Sequence, residues 1–197
     1  MIDAVLFDGD QTLWDFERIM AAALTATLAE LRAARPGDAV DALTIAELHA
    51  DRNAVALELA GIEFDLGRLR RLGFARTLTR LADGTSSETD DAVLVEQLSA
   101  SYFEHRDRDP GLFPDTVPCL QALRAKYRLG LLSNGSRSPE AIGLGGLFET
   151  IVFAQDHRAS KPDRALFAVV ERELGLSPDR CVLVGDHPLN DVVGAKR

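Results

Sequence analysis

The chain has 197 residues, 46% hydrophobic and 27% charged, with 31 acidic against 22 basic side chains for a net charge of -9. That composition suits a globular protein of one large or two small domains and excludes disordered and fibrous classes. The acidic balance argues against a nucleic-acid partner, which requires a basic face. The run Arg68-Leu69-Arg70-Arg71 has the helical spacing of a solvated face instead.

The N-terminus, Met1-Ile2-Asp3-Ala4, lacks the basic region of a signal peptide. No run of about 18 apolar residues is available for a membrane span. Cys119 and Cys181 stand far apart, which indicates neither a disulfide scaffold nor a zinc module. The expected setting is cytoplasmic, without a membrane partner. The first element is a buried strand, Ala4-Val5-Leu6-Phe7, stopped by Asp8. Helical periodicity then takes over. One helix runs from Asp15 to Ala34 and ends at Pro36-Gly37. A capping box at Thr44 to Glu47 opens a second, which Gly61 closes. A third spans about Asp65 to Ala82, before the loop Asp83-Gly84-Thr85-Ser86, and a fourth runs from Ser87 to about His105.

Past Pro110-Gly111 strands return. Thr116 to Lys126 is helical, and Arg128 to Leu132 is a short apolar strand broken by Ser133-Asn134-Gly135. Thr150 to Phe153 is a third strand, Pro162 to Leu174 a helix closed by Gly175, and Cys181 to Val184 a fourth, buried strand. Strands alternating with helices indicate a doubly wound parallel sheet. The expected fold is α/β, a Rossmann-like parallel-sheet core with an inserted all-helical domain. Residues 1–14 and 111–197 would form the core and 15–110 the insert.

Ligands of such sheets bind at the carboxyl ends of the strands. Asp8-Gly9-Asp10-Gln11-Thr12, Ser133-Asn134-Gly135 and Asp186 with Asn190-Asp191 follow three strands, and Ser160-Lys161 comes after the other. Carboxylates, one hydroxyl and one ammonium would share a crevice. These groups suit phosphoryl transfer, where a lysine and a divalent cation offset the charge that repels a carboxylate nucleophile. Asp8 can attack phosphorus and ligate the metal, and magnesium prefers such oxygen ligands. Asp10 can act as general acid and then base, and Ser133 can hold phosphate oxygens.

The stretch Val5 to Leu13 resembles the D-x-D-x-T signature of the haloacid dehalogenase superfamily. Leu131 to Gly135, Ser160 to Asp163 and Gly185 to Asp191 are similar to its second, third and fourth motifs, in the same order. The resemblance implies a phosphoaspartyl mechanism on a small phosphate monoester of nucleotide, sugar phosphate or phosphoglycolate type, with Mg2+ as cofactor. It makes Asp8 the nucleophile and Asp10 the general acid/base. Thr12, Ser133, Asn134 and Lys161 become the phosphate-binding and loop-supporting group. Asp186 would ligate magnesium with Asp8 and the backbone carbonyl of Asp10, and Asp191 would orient Lys161 or bind the metal through water. The helical insert matches the superfamily's helical cap.

Asp10 favours phosphate over carbon–halogen chemistry, because the superfamily's true dehalogenases lack an aspartate two residues after the nucleophile. A phosphomutase and a non-catalytic phosphate sensor are the alternatives. Gln11 stands where many relatives carry glycine. The sequence stops at Gly194-Ala195-Lys196-Arg197, where relatives continue, and a bare sheet edge there would invite pairing. Oligomeric state is left open. Trp14 and Phe16 are expected to pack at the hinge into the insert. His49 and His105 are expected on exposed helix faces, and Cys181 and Cys119 in structural positions. Arg52, Asn53, Phe74 and Arg76 are substrate-contact candidates whose orientation the sequence does not fix.

Overall fold

In the computed structural model the described residues are 1–59, 61–62, 64–82 and 87–196. The expected loop Asp83–Ser86 and Arg197 lie outside them. The chain divides into two compact units, Met1–Glu17 with Pro110–Arg197, and Arg18–Asp109.

The first unit carries a parallel sheet of four strands, β1 (Ala4–Phe7), β2 (Arg128–Ser133), β3 (Thr150–Phe153) and β4 (Cys181–Val184), in the order β3-β2-β1-β4. Val5 pairs with Leu129 on one side and Val182 on the other, so β1 lies in the middle. The chain adds β2 and β3 to one side of β1, then returns to place β4 on the other. That reversal leaves a crevice at the carboxyl ends of the strands. All four residues of β1 are buried, as a central parallel strand requires.

The expectation of a buried fourth strand is corrected. β4 is an edge strand whose Val182 and Val184 are each 43% exposed, while Cys181 is half-buried. Four apolar residues read as buried on both faces, but an edge strand has a sheet neighbour on one side only. Cys119 is exposed as well.

The second unit is helical. Helix α1 (Phe16–Ala34) starts within the first unit, and a short α2 (Asp38–Asp41) follows it. Then come α3 (Ile45–Glu58), α4 (Leu66–Leu81) and α5 (Glu88–Arg108). The starts have local causes. Thr44 and Glu47 form the reciprocal capping box. The Asp65 carboxylate accepts from Arg68 N, and Ser87 Oγ from Asp90 N. Leu24, Leu28, Leu48, Phe74, Leu78 and Leu98 belong to one apolar cluster of this unit. No helix among the described residues is long and apolar enough to cross a membrane.

In the first unit, α6 (Thr116–Arg124), α7 (Ala154–His157) and α8 (Arg164–Leu174) complete the α/β pattern. α8 begins two residues later than the sequence suggests, because the Asp163 carboxylate caps it by accepting from Ala165 N. A π-helical segment, Pro188–Val193, follows β4.

Candidate active site

The strand ends place most of the candidate residues around one cavity of about 210 Å³. Asp8, Asp10, Asn134, Lys161, Asp186 and Asp191 all line it. Asp8 follows β1, and its backbone N–H donates to Val184 O at 2.8 Å, tying it to the β4 end. Its side chain meets Lys161, whose Nζ donates to Asp8 Oδ1 and to Asp191 Oδ1, both at 2.6 Å. All three residues are buried, with exposures of 7%, 3% and 2%. One ammonium thus bridges two buried carboxylates, which leaves the trio with a net negative charge.

Burial raises the Asp8 pKa to about 6, with the Asp191 charge acting in the same direction and Lys161 opposing. Desolvation disfavours the ionised form more than one shared cation restores it.

Asn134 and the backbone of His187 fix the two ends of this arrangement. The Asn134 side chain accepts from Lys161 N at 2.7 Å and donates to Lys161 O at 3.1 Å. The sequence grouped Asn134 with the phosphate-binding residues, and the structure places its amide on the Lys161 backbone. Asp191 accepts from His187 N through its other oxygen, at 2.9 Å. A Cβ on Gly185 would come within 2.3 Å of Asp191 Cγ, so only glycine lets the β4 end approach this carboxylate.

Asp10 lies in a tight turn after β1, where the N–H groups of Thr12 and Leu13 return to Gly9 O and Gln11 adopts a positive φ of 59°. The turn brings Trp14 back, and its indole Nε1 donates to Asp10 Oδ1 at 2.6 Å. Trp14 is fully buried. A Cβ on Gly9 would stand 2.3 Å from its ring. Sequence reasoning gave Trp14 hinge packing ahead of stacking on a substrate ring, and no tie to Asp10. The missed signal is general, since a buried indole N–H seeks an acceptor and Asp10 lies one turn away. The other Asp10 oxygen lies beside Gly135, 2.8 Å from where a Cβ would stand.

Ser133, 1% exposed, ends β2, and its Oγ accepts from Gly135 N at 3.0 Å. The Thr12 hydroxyl is buried with no hydrogen-bond partner among the described residues. Neither side chain is among the described residues that line the cavity.

Asp8, Asp186 and Asp191 offer carboxylate oxygens that all lie within 4.8 Å of one another. An all-oxygen anionic set suits a hard divalent cation. Asp191 spends both oxygens on Lys161 and His187, and Asp8 spends one on Lys161. The carboxylates of Asp8 and of the exposed Asp186 are therefore the donors that fit a cation.

Residues 2–197 match the family model of haloacid dehalogenase-like hydrolases. The chain belongs to that family and is a hydrolase. It is 28% identical to a glyceraldehyde 3-phosphate phosphatase of Methanopyrus kandleri over 207 residues, covering 100% of this chain and 81% of the relative. It is also 28% identical to the 5-amino-6-(5-phospho-D-ribitylamino)uracil phosphatase of Escherichia coli, over 100% of this chain and 80% of that one. Among solved structures, the 2-haloacid dehalogenase of Pseudomonas syringae superposes with a TM-score of 0.80 at 27% identity, covering 100% of this chain and 83% of the other.

Proposed function

We propose that the chain is a magnesium-dependent phosphatase that hydrolyses a small phosphate monoester through a phosphoaspartyl group on Asp8. The observation that carries this reading is the buried Lys161 ammonium shared between Asp8 and Asp191. It holds one oxygen of Asp8 and leaves the second to attack. It also sets a fixed positive charge where phosphoryl oxygens would lie.

In the first half, Asp8 forms a bond to phosphorus as the phosphorus–oxygen bond to the leaving group breaks, and the departing alkoxide takes a proton from Asp10. In the second, Asp10 removes a proton from water as the water oxygen bonds to phosphorus. The Asp8–phosphorus bond then breaks, restoring the carboxylate and releasing inorganic phosphate. Trp14 fixes which oxygen of Asp10 faces this exchange. Ser133 Oγ, which accepts from Gly135 N, keeps its own proton to donate to a phosphoryl oxygen. Thr12 supports the turn, and Asn134 holds the Lys161 backbone. Asp8 and Asp186 would hold the divalent cation, which supplies charge neutralisation at the phosphoryl group when bound.

Asp10 also separates this reaction from dehalogenation. A departing halide needs no proton, whereas a departing alkoxide does. The two curated relatives described above carry phosphatase names, which supports the same choice.

The test is phosphate release from a triose phosphate, a sugar phosphate, phosphoglycolate and a nucleoside monophosphate, with and without magnesium. Magnesium-dependent turnover that Asp8→Asn abolishes is the expected result, with no chloride release from 2-chloropropionate. A folded chain that binds inorganic phosphate but turns over no monoester would overturn the reading.

A further inference from the structure

The helical unit buries positive charge that no described acid meets. Arg70 on α4 is 6% exposed. Its Nη2 donates to the Tyr102 hydroxyl at 3.2 Å, and its guanidinium lies 4.2 Å from the Tyr102 ring centroid. Its Nη1 is buried with no hydrogen-bond partner among the described residues. The Nδ1 of His49 on α3 is in the same condition. Arg52, one helical turn from His49, is half-buried, and its Nη1 donates to the neutral side-chain oxygen of Asn53 at 3.1 Å.

These three groups share one neighbourhood. The positive charges of Arg70 and Arg52 both bear on His49, reinforcing burial in holding its pKa down. Burial and Arg70 act the same way on Arg52. Close packing explains the proximity, since a Cβ on Gly73, one turn beyond Arg70, would stand 2.9 Å from Arg52 Cα.

The nearby acids are engaged elsewhere. Asp51 accepts from Thr77 and Arg80, Glu58 takes Arg76 in a two-point contact, and Asp107 pairs with Arg106. In the α/β unit the buried Lys161, by contrast, meets two carboxylates. A guanidinium has five donors and no acceptor. A buried one with a donor unmatched, beside a second guanidinium and an imidazole, has the chemistry of an oxyanion site.

We propose that the helical unit binds an oxyanion, a carboxylate or phosphoryl group, on Arg70, flanked by Arg52 and His49. The anion accepts from Arg70 Nη1 and lies against the Arg52 charge and the His49 ring. The site stands on this unit alone and does not rest on the phosphatase reading.

The test follows the ring signals of His49 by NMR in the full chain at low ionic strength, assigned with His49→Gln. Inorganic phosphate and malonate are titrated separately. Lys161→Ala is the control for a probe bound at the α/β unit, and its His49 shift should match that of the wild type. The expected result is a saturable shift with at least one probe, weakened at least about tenfold in Arg70→Met and less in Arg70→Lys. A response to phosphate alone assigns a phosphoryl ligand, and one to malonate alone a carboxylate. If Arg70→Met does not fold, Arg52→Gln carries the test, with the same direction of change. No saturable shift with either probe, or affinity unchanged in the folded variants, overturns the proposal.

Discussion

Each of the two units buries an aspartate against positive charge, and the two are treated differently. In the helical unit, Asp51 accepts from Thr77 Oγ1 at 2.8 Å and from Arg80 Nη2 at 2.9 Å, with Arg76 at 3.7 Å. Its acceptors are matched, and the arginines keep part of their surface in water. That carboxylate fastens α3 to α4. In the α/β unit, Asp8 has one cation, and Lys161 shares it with Asp191. Burial prevails, and Asp8 stands at a pKa of about 6. The Asp51 carboxylate has several donors around it, whereas Asp8, the proposed nucleophile, keeps a charge that its burial disfavours.

With Asp8 left in place, the largest effect should follow from removing the shared cation. Lys161→Ala is expected to lower kcat of the phosphatase reaction by about 10²- to 10³-fold, the scale of a lost electrostatic donor, measured as phosphate release at saturating substrate. A change of less than about threefold would remove Lys161 from the mechanism. Trp14→Phe is a smaller intervention. It keeps a ring against Gly9 and removes the indole N–H from Asp10, so kcat should fall about tenfold with KM little changed. An equal loss through KM would make Trp14 a packing residue only.

The smallest expected effects are on stability, and they test the comparison itself. Asp51→Asn should destabilise the fold by about 1–3 kcal/mol in denaturant melts. Asp8→Asn in metal-free buffer should not. The Asp8 pKa in the fold lies above its usual value of 3.8, so the folded state binds more protons between about pH 4 and 6. The contribution of Asp8 to wild-type stability therefore declines as pH rises through that window. Asp8→Asn should gain on the wild type over the same window and hold the gain above about pH 6. A constant difference between the two proteins from pH 4 to 7 would contradict the assignment to Asp8.

The site was legible where position along the chain fixes position in space. Asp8 and Ser133 sit at or beside strand ends, Asp186 follows β4 by two residues, and a parallel sheet brings such ends together. Asp191 was harder to read, since an acid near a helix start has a local explanation. Its tie to Lys161 spans 30 residues and depends on the loops between them. Trp14 escaped because the aim of its indole follows from a turn with Gln11 in the left-handed region. The two insert histidines were read as exposed and are half-buried. Helical periodicity in α3 and α5 is too weakly amphipathic to fix which face turns inward, so the cationic neighbourhood of Arg70 was not visible either. The exposed face of β4 escaped for a related reason, as nothing in Cys181–Val184 says which strand lies at the edge.

The central claim is that Asp8 becomes covalently phosphorylated. Rapid acid quench of the enzyme with magnesium and a turned-over monoester, followed by peptide mass spectrometry, reads this directly. The account predicts a phosphoryl group on the peptide bearing Asp8, forming and decaying within a single turnover and missing in Asp8→Asn. Turnover at an undiminished rate with the group on another residue, or with none at any quench time, would contradict it.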